Sequence, residues 1–410
     1  MRSRQRILFI TSVWPFPPTD GGKIATMNIL QELAKDFEIS FFSFEKPETP
    51  FPELKADIYT LKRKPWPVAI IESVASCKPA SVMRYSSPKV FREVVSRIKE
   101  YELVFVDHIG VFHNLDRIPP AALAGIPLII FEHNLEYRVW EHFGVSSGNP
   151  LKKLFGYWQS KLMERFENRA MQKANLIYMI SQKEKEIVEK QLRIPEEKLS
   201  VLPITIPRKK NSQNEAALGE RKENTILFTG SFSWYPNIVG LKWFLTNCWK
   251  YILEKKPSAK LILAGNDKNE DAAKLSRSFR NVVATGFVED ISDYFNGASV
   301  FVLPMQVGAG IKIKFLEALS YGLPVVTTSK GIEGIEGVVD GTHCIVEDNP
   351  QAFSEEVLHL LNNSELAAKL STHALGFLEN RWRMFSEEVD RIKIMARKSN
   401  WSEEYRNSYE

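Results

Sequence analysis

Three cysteines in 410 residues, Cys77, Cys248 and Cys344, are isolated, odd in number and form no CxxC pair. They exclude a disulfide framework and a thiolate zinc site, and they suggest a reducing compartment. No apolar run approaches the length of a membrane span; the longest, Ala121 to Phe131, contains Gly125 and Pro127. The basic start, MRSRQRILFITSVWPFPP, has too short an apolar core for a secretory leader, and proline follows at once. It reads instead as a first β-strand. Neither half carries GxGxxG after its first strand, which disfavours a nicotinamide-dependent dehydrogenase. Walker A, HExxH and EF-hand patterns are absent. So is a DxD pair, which would hold a divalent metal against a diphosphate. Charge of one sign is scarce too: 54 Lys and Arg against 50 Asp and Glu leave +4, which gives no indication of a nucleic-acid partner.

What is present is an alternation of short apolar runs with helical patterns. Ile7 to Ser12, Glu38 to Phe44, Leu103 to Val106, Pro127 to Phe131 and Leu176 to Ile180 read as strands of a buried parallel sheet. Ile24 to Asp36 reads as a helix with Met27, Leu30 and Ala34 on one face, and a long charged helix surrounds Lys161 to Lys173. The polar stretch Arg208 to Asn224 reads as a linker or exposed excursion. Then the alternation restarts with Thr225 to Thr229, Lys260 to Ala264, Val282 to Thr285, Val300 to Leu303 and Pro324 to Thr328. Ile7-Leu8-Phe9 and Ile226-Leu227-Phe228 each open a half and lead to a loop with Trp and Pro. The expectation is an α/β protein of two Rossmann-like, doubly wound parallel-sheet domains facing across a cleft. Residues 1–207 form the first and 208–380 the second. Residues 381–410 form a helical segment that either packs back on the first domain or ends the second.

The stretch PMQVGAGIKIKFLEALSYGLPVVTT, Pro304 to Thr328, is the most informative. A turn with Gly308 and Gly310 enters a helix carrying Lys312, Lys314 and Glu317. Glycine lets a ligand approach the backbone, and a helix N-terminus suits an anion such as a diphosphate. Glu317, about two turns in, can accept hydrogen bonds from a sugar hydroxyl. The alternative is an ordinary glycine-led turn and amphipathic helix. Gly21-Gly22-Lys23, between the first strand and its helix, brings N–H groups to a phosphate or sugar oxygen, or simply makes a tight turn. His133 falls just past the end of an apolar strand, where an imidazole either faces a ligand or is structural; Asn134 and Glu136 follow it. Leu61 to Pro67 (LKRKPWP) and Leu151 to Arg169 mix basic residues with tryptophan. They read first as solvated helix faces with an interdomain tryptophan, with docking on an anionic membrane surface as the alternative.

These residues together resemble family 4 glycosyltransferases, also called glycosyl transferases group 1, of GT-B fold. Gly21-Gly22, His133-Asn134-Leu135-Glu136, ILFTGSFSWYPN at Ile226 to Asn237 and GAGIKIKFLEALSYGLPVVTTSKGIEGI at Gly308 to Ile335 carry the resemblance, in order along nearly the whole chain. It implies a nucleoside diphosphate sugar donor in the second domain and a hydroxyl acceptor, glycan, polysaccharide or lipid-linked, in the first. It implies retention of anomeric configuration without a metal or other cofactor. By the same resemblance Glu317 binds the donor ribose, and the turn from Gly308 through Gly310 and Ile311 to Lys312 holds diphosphate and sugar. Gly230, Ser231 and Lys314 would complete the donor site. Gly21 and Gly22 would approach the donor phosphates. His133 and Lys312 would serve catalysis, and Asn134 and Glu136 the acceptor side. The expected setting is cell-envelope polysaccharide synthesis in the cytoplasm, with peripheral contact at the inner membrane face as an alternative.

Two departures from the family pattern stand out. Ala309 occupies the place of an expected second glutamate, eight positions before Glu317. The GRxxxxK pattern after the second domain's first strand is missing: Ser231 follows Gly230, and Pro236-Asn237 stand near the lysine position. Lys312 and Lys314 are the residues that can replace the lost positive charge. A non-catalytic sugar-nucleotide-binding protein and a sugar-nucleotide epimerase of the same fold are the rival readings.

Overall fold

The computed structural model describes residues 5–18, 20–46, 56–207, 224–308 and 310–398. The linker stretch proposed at Arg208 to Asn224, apart from Asn224, lies outside the described residues, as do Ala309 and Trp401. The described residues fall into two compact units. One runs to Ile204 and includes the residues from Met384 onward; the other is Thr205–Arg383.

The first unit is built on a parallel sheet of β1 (Arg6–Thr11), β2 (Glu38–Ser43), β3 (Ala56–Thr60), β4 (Leu103–Asp107), β5 (Leu128–Glu132), β6 (Leu176–Met179) and β7 (Leu199–Val201), in the order β3-β2-β1-β4-β5-β6-β7. The second is built on β8 (Thr225–Thr229), β9 (Lys260–Ala264), β10 (Val282–Gly286), β11 (Val300–Leu303), β12 (Val325–Thr327) and β13 (Ile345–Val346), in the order β10-β9-β8-β11-β12-β13. The second order repeats that of the first six strands of the first sheet, so the two units are wound alike. Every pairing among the named strands is parallel. The central strands are continuous apolar runs buried along their whole length, because helices cover both faces of such a sheet.

Seven helices matter below: α1 (Gly21–Ala34), α2 (Trp66–Ser76), α3 (Glu136–Val145), α4 (Pro150–Lys173), α5 (Tyr235–Phe244), α6 (Ile313–Ser320) and α7 (Ser364–Lys398). α1 begins earlier than its apolar periodicity predicts. Asp20 caps it by accepting from Lys23 N at 3.0 Å, so Gly21 and Gly22 are its first residues rather than a preceding turn. Its buried face is Ala25, Thr26, Asn28, Ile29, Leu30 and Leu33, so of the expected stripe Leu30 is buried while Met27 and Ala34 are half-buried. The last part of α7 packs within the first unit. There Glu388 accepts from Tyr178 Oη at 2.9 Å and Ser200 Oγ at 2.8 Å, and Lys393 pairs with Asp36 at 2.8 Å. Among the described residues no helix is long and apolar enough to cross a membrane.

Candidate donor and acceptor sites

In each sheet the strand order reverses beside the first strand, between β1 and β4 and between β8 and β11. Ligands of open parallel sheets gather at the carboxyl ends of strands at such a point. The side chains the sequence singled out lie there, one group in each unit.

In the first unit β1 ends at Thr11, β4 at Asp107 and β5 at Glu132, so Asp107, His108 and His133 emerge side by side. Asp107 is fully buried and organises the group. Its Oδ1 lies 2.6 Å from His133 Nε2. Its Oδ2 accepts from Thr11 Oγ1 at 2.6 Å and from Thr26 Oγ1, on α1, at 2.9 Å. The His108 ring stacks on that of His133 with centroids 3.9 Å apart, and His108 Nδ1 lies 3.2 Å from Asp107 Oδ2. His108 reaches this position with φ at 67°, a conformation that side chains other than glycine adopt at a cost. Burial opposes the Asp107 charge, but the two imidazoles outweigh it and hold the carboxyl far below its usual range. Burial also opposes charge on His108, yet Asp107 raises it. His133 is lowered, by burial and by the neighbouring His108. The arrangement therefore favours an ionised Asp107 beside the two stacked imidazoles.

His133 Nδ1 is buried and has no hydrogen-bond partner among the described residues. It faces the start of α1: a Cβ placed on Gly22 would sit 3.2 Å from it. Glycine thus leaves room between backbone and imidazole that a larger residue would crowd. Asp107, His108 and His133 also have donor atoms within 4.8 Å of one another, near enough to suggest a metal. The 2.6 Å separation of Asp107 and His133 is instead that of a hydrogen bond. Two ligands of one tetrahedral ion would stand about 3.3 Å apart, given bonds of about 2.0 Å. Sequence reasoning missed Asp107 and His108. The available signal was a polar pair directly after the apolar run Leu103 to Val106.

Asn134 is exposed, whereas Glu136 opens α3. α3 has no cap from its own Leu135. Glu167 of α4 supplies one, accepting from Glu136 N at 2.7 Å, and so fixes where α3 begins. Burial raises the Glu136 carboxyl and raises that of Glu167 well above the usual range, the latter with Glu136 adding to it.

In the second unit α6 starts at Ile313, not at the glycines, because Gly308 and Gly310 hold φ at 110° and 77° and prolong the loop. Lys312 is therefore the residue before the helix, and Glu317 its fifth, little more than one turn in. Lys312 is buried and turned onto the loop: its Nζ donates to Gly310 O at 2.5 Å and to Gly308 O at 3.3 Å. The Lys312 side chain does not cap α6, and the positive end of the helix dipole lies at this loop.

Lys314 extends the other way. Its Nζ donates to Asn237 Oδ1 on α5 and lies 5.0 Å over the Phe228 ring. Asn237 in turn donates to Ser231 O at 2.7 Å. Gly230 has φ at 150°, and a Cβ there would come within 2.7 Å of Asn237 Nδ2 and 2.8 Å of Lys314 Nζ. Burial pushes the Lys314 ammonium down to about 7, with Lys312 contributing and Glu317 opposing. Gly230, Ser231, Asn237 and Lys314 thus form one cluster at the end of β8. Lys314 brings a cation from α6 to Asn237, near the position where the GRxxxxK pattern would have its lysine.

Residues 19–209 match the family model described as Glycosyltransferase Family 4, and residues 223–363 the model described as Glycosyl transferases group 1. An uncharacterized protein in the cps region of Klebsiella pneumoniae is 26% identical over 164 residues, which span 38% of this chain and 42% of that protein. An uncharacterized glycosyltransferase of Methanocaldococcus jannaschii is 23% identical over 79% of this chain and 74% of its own. The crystal structure of Anabaena HepE in complex with UDP shares the fold, with a TM-score of 0.64 at 14% identity over 95% of this chain and 100% of that one. Both halves match in order and the fold agrees across them: the chain belongs to the group 1, family 4 glycosyltransferases.

Proposed function

We propose that this glycosyltransferase moves a sugar from a nucleoside diphosphate sugar to a hydroxyl of a glycan or lipid-linked acceptor, with retention and without a metal. The observation that carries the donor half is the Lys314–Asn237–Gly230 cluster beside the start of α6. Departure of the diphosphate develops negative charge. Preorganised N–H groups and ammonium groups stabilise that charge as it forms. Lys314 supplies one positive charge, while Lys312 adds another and holds the Gly308–Gly310 loop in shape. Glu317 takes the ribose, and Gly230 and Ser231 line the same site.

To first-unit residues we assign two roles: His133, oriented by Asp107, acts at the reacting sugar, and Gly21-Gly22 meets the donor phosphates. Both oxygens of Asp107 are engaged by Thr11, Thr26 and His133, so this carboxylate is poorly placed to attack a sugar carbon. That supports a front-face path to retention, in which the leaving phosphate takes the acceptor proton. Asn134 and Glu136 fall to the acceptor side. HepE was crystallised with UDP and with UDP-glucose, so uridine diphosphate sugars are the first donors to try.

The test is thermal shift and calorimetry with a panel of nucleotides and nucleotide sugars, followed by product analysis of any donor that binds. Specific stabilisation by one nucleoside diphosphate sugar is expected. Interconversion of epimeric nucleotide sugars without an acceptor would replace the transferase reading with the epimerase one. Binding with neither transfer nor slow donor hydrolysis would leave a binding protein.

A further inference from the structure

The first unit contains a cavity of about 500 Å³ that the donor chemistry does not use. Its wall is Trp66 and Ile70 of α2, Trp140 and Phe143 of α3, and Phe155 and Met163 of α4. The volume is that of a ligand pocket, which typically holds roughly 300–1,000 Å³. The wall is preorganised: Trp140 packs edge-on against Trp66, Phe143 and Phe155 at 6.1, 5.8 and 5.9 Å, and donates its indole N–H to Ser81 Oγ at 3.3 Å. The polar lining is confined to a few side chains, among them Ser12, Arg84, His108 and Glu136. Since His108 stacks on His133, the cavity adjoins the proposed acceptor side.

The same three helices expose an apolar surface. Ile71 on α2 is 69% exposed, Val145 on α3 70%, and Leu151 on α4 77%; Val74, Leu154 and Tyr157 belong with them. Ten of the twenty exposed large apolar side chains among the described residues lie on α2, α3 and α4. Such a concentration marks an interaction surface. α3 and α4 bring it together by crossing at Gly144 and Gly156, where a Cβ on Gly156 would stand 2.6 Å from Gly144 Cα. Cations border the helices: Lys62 before α2, where Arg63 and Lys64 are already paired with Glu45 and Glu72, and Lys152 and Lys153 at the start of α4. Arg84 lies over the Trp66 ring at 4.3 Å. Apolar side chains beside basic ones, with tryptophan and tyrosine near the boundary, are the chemistry of a helix lying in an anionic membrane surface.

We infer that the α2–α3–α4 cavity is a binding site for the aliphatic chain of an anionic, membrane-borne amphiphile, held with its head toward His108. This rests on the acceptor-side reading of the first unit and gives that acceptor a class: a lipid-linked one, collected from a bilayer on which α2, α3 and α4 lie. The chain would contact the tryptophan wall, and Arg84 and His108 would meet the anionic head.

The experiment titrates the full chain with hexyl, octyl, decyl and dodecyl phosphate below their critical micelle concentrations, and with inorganic phosphate. Tryptophan fluorescence and calorimetry provide the readout. Binding of dodecyl phosphate is expected, strengthening with chain length toward about fourfold for each methylene fully buried. Ile70→Trp and, on a more exposed wall position, Val139→Trp should each weaken it at least tenfold. Equal affinity for inorganic and dodecyl phosphate, or binding unchanged in both tryptophan variants that remain folded, would overturn the inference. The double variant Ile71→Glu, Leu151→Glu should lose co-flotation with phosphatidylglycerol-containing vesicles but keep dodecyl phosphate. Flotation equal to the parent's would overturn the membrane seat. Binding and hydrolysis of every nucleotide sugar in the donor panel are measured on the same preparations. Donor chemistry without alkyl phosphate binding removes this inference alone, and alkyl phosphate binding without donor chemistry removes the transferase reading alone.

Discussion

The ammonium of Lys314 stands where a side chain on Gly230 would have to go: a Cβ at Gly230 would be 2.8 Å from Lys314 Nζ. The two residues are far apart in sequence, one directly after β8 and the other on the first turn of α6. Their proximity explains how a chain without the GRxxxxK pattern keeps a cation at the end of β8. It also requires that position 230 remain without a side chain.

Lys314→Met should lower turnover by about 10²–10³, the effect of losing one preorganised group that stabilises developing charge. The ammonium titrates at about 7, so it is present below that pH and lost above it. Donor affinity should therefore fall as pH rises through 7. A bound diphosphate raises the lysine's pKa, so binding near pH 7 to 8 should take up a proton. Calorimetry in buffers of different ionisation enthalpy measures that uptake. Lys314→Arg should abolish it, and identical uptake in the arginine variant would assign the proton elsewhere.

Asp107→Asn should cost about 1–3 kcal/mol of stability, because an amide cannot accept from Thr11, Thr26 and His133 without opposing one of them. Misplacing His133 should also slow transfer on the order of a hundredfold. Thermal denaturation and steady-state kinetics separate the two effects. A variant that loses stability but keeps full turnover would make the cluster purely structural.

Glu317→Ala should weaken nucleotide binding roughly 10- to 100-fold, the worth of a charged hydrogen bond to a hydroxyl. The 2′-deoxynucleotide should discriminate between parent and variant less than the ribonucleotide does. Unchanged affinity for the ribonucleotide would count against the ribose assignment.

Transfer should continue undiminished after dialysis against a chelator, and added magnesium or manganese should not accelerate it. Activity that disappears with the chelator and returns with one ion would overturn metal independence, and would draw attention back to Asp107, His108 and His133.

The long central strands were legible because burial on both faces makes them continuous apolar runs; β1, β4, β5, β8 and β11 fall where those runs do. The edge strands β3, β7 and β13 were not, since Ala56–Thr60 is partly polar and Leu199–Val201 and Ile345–Val346 are too short to show a period. Glycine positions and Lys314 could be read from motif spacing, but not where the lysine points. That depends on Asn237, contributed by another helix. Asp107 escaped notice because its importance comes from three partners, on β1, on α1 and just after β5, a convergence no local pattern records. The glycine turn before α6 was legible, but Lys312, read as part of the helix, proves to be the residue before it.

The matching winding of the two sheets has a consequence for how such a protein changes. Each unit has its own reversal point, and each reversal point is edged by its own loops. Substitutions after β1, β4 and β5 alter one set of partners and leave the strand ends of β8 and β11 untouched. Descendants of this chain can therefore acquire new clients on one side while inheriting the other unchanged, and hybrids that exchange halves between relatives are a practical way to find out which half determines which client.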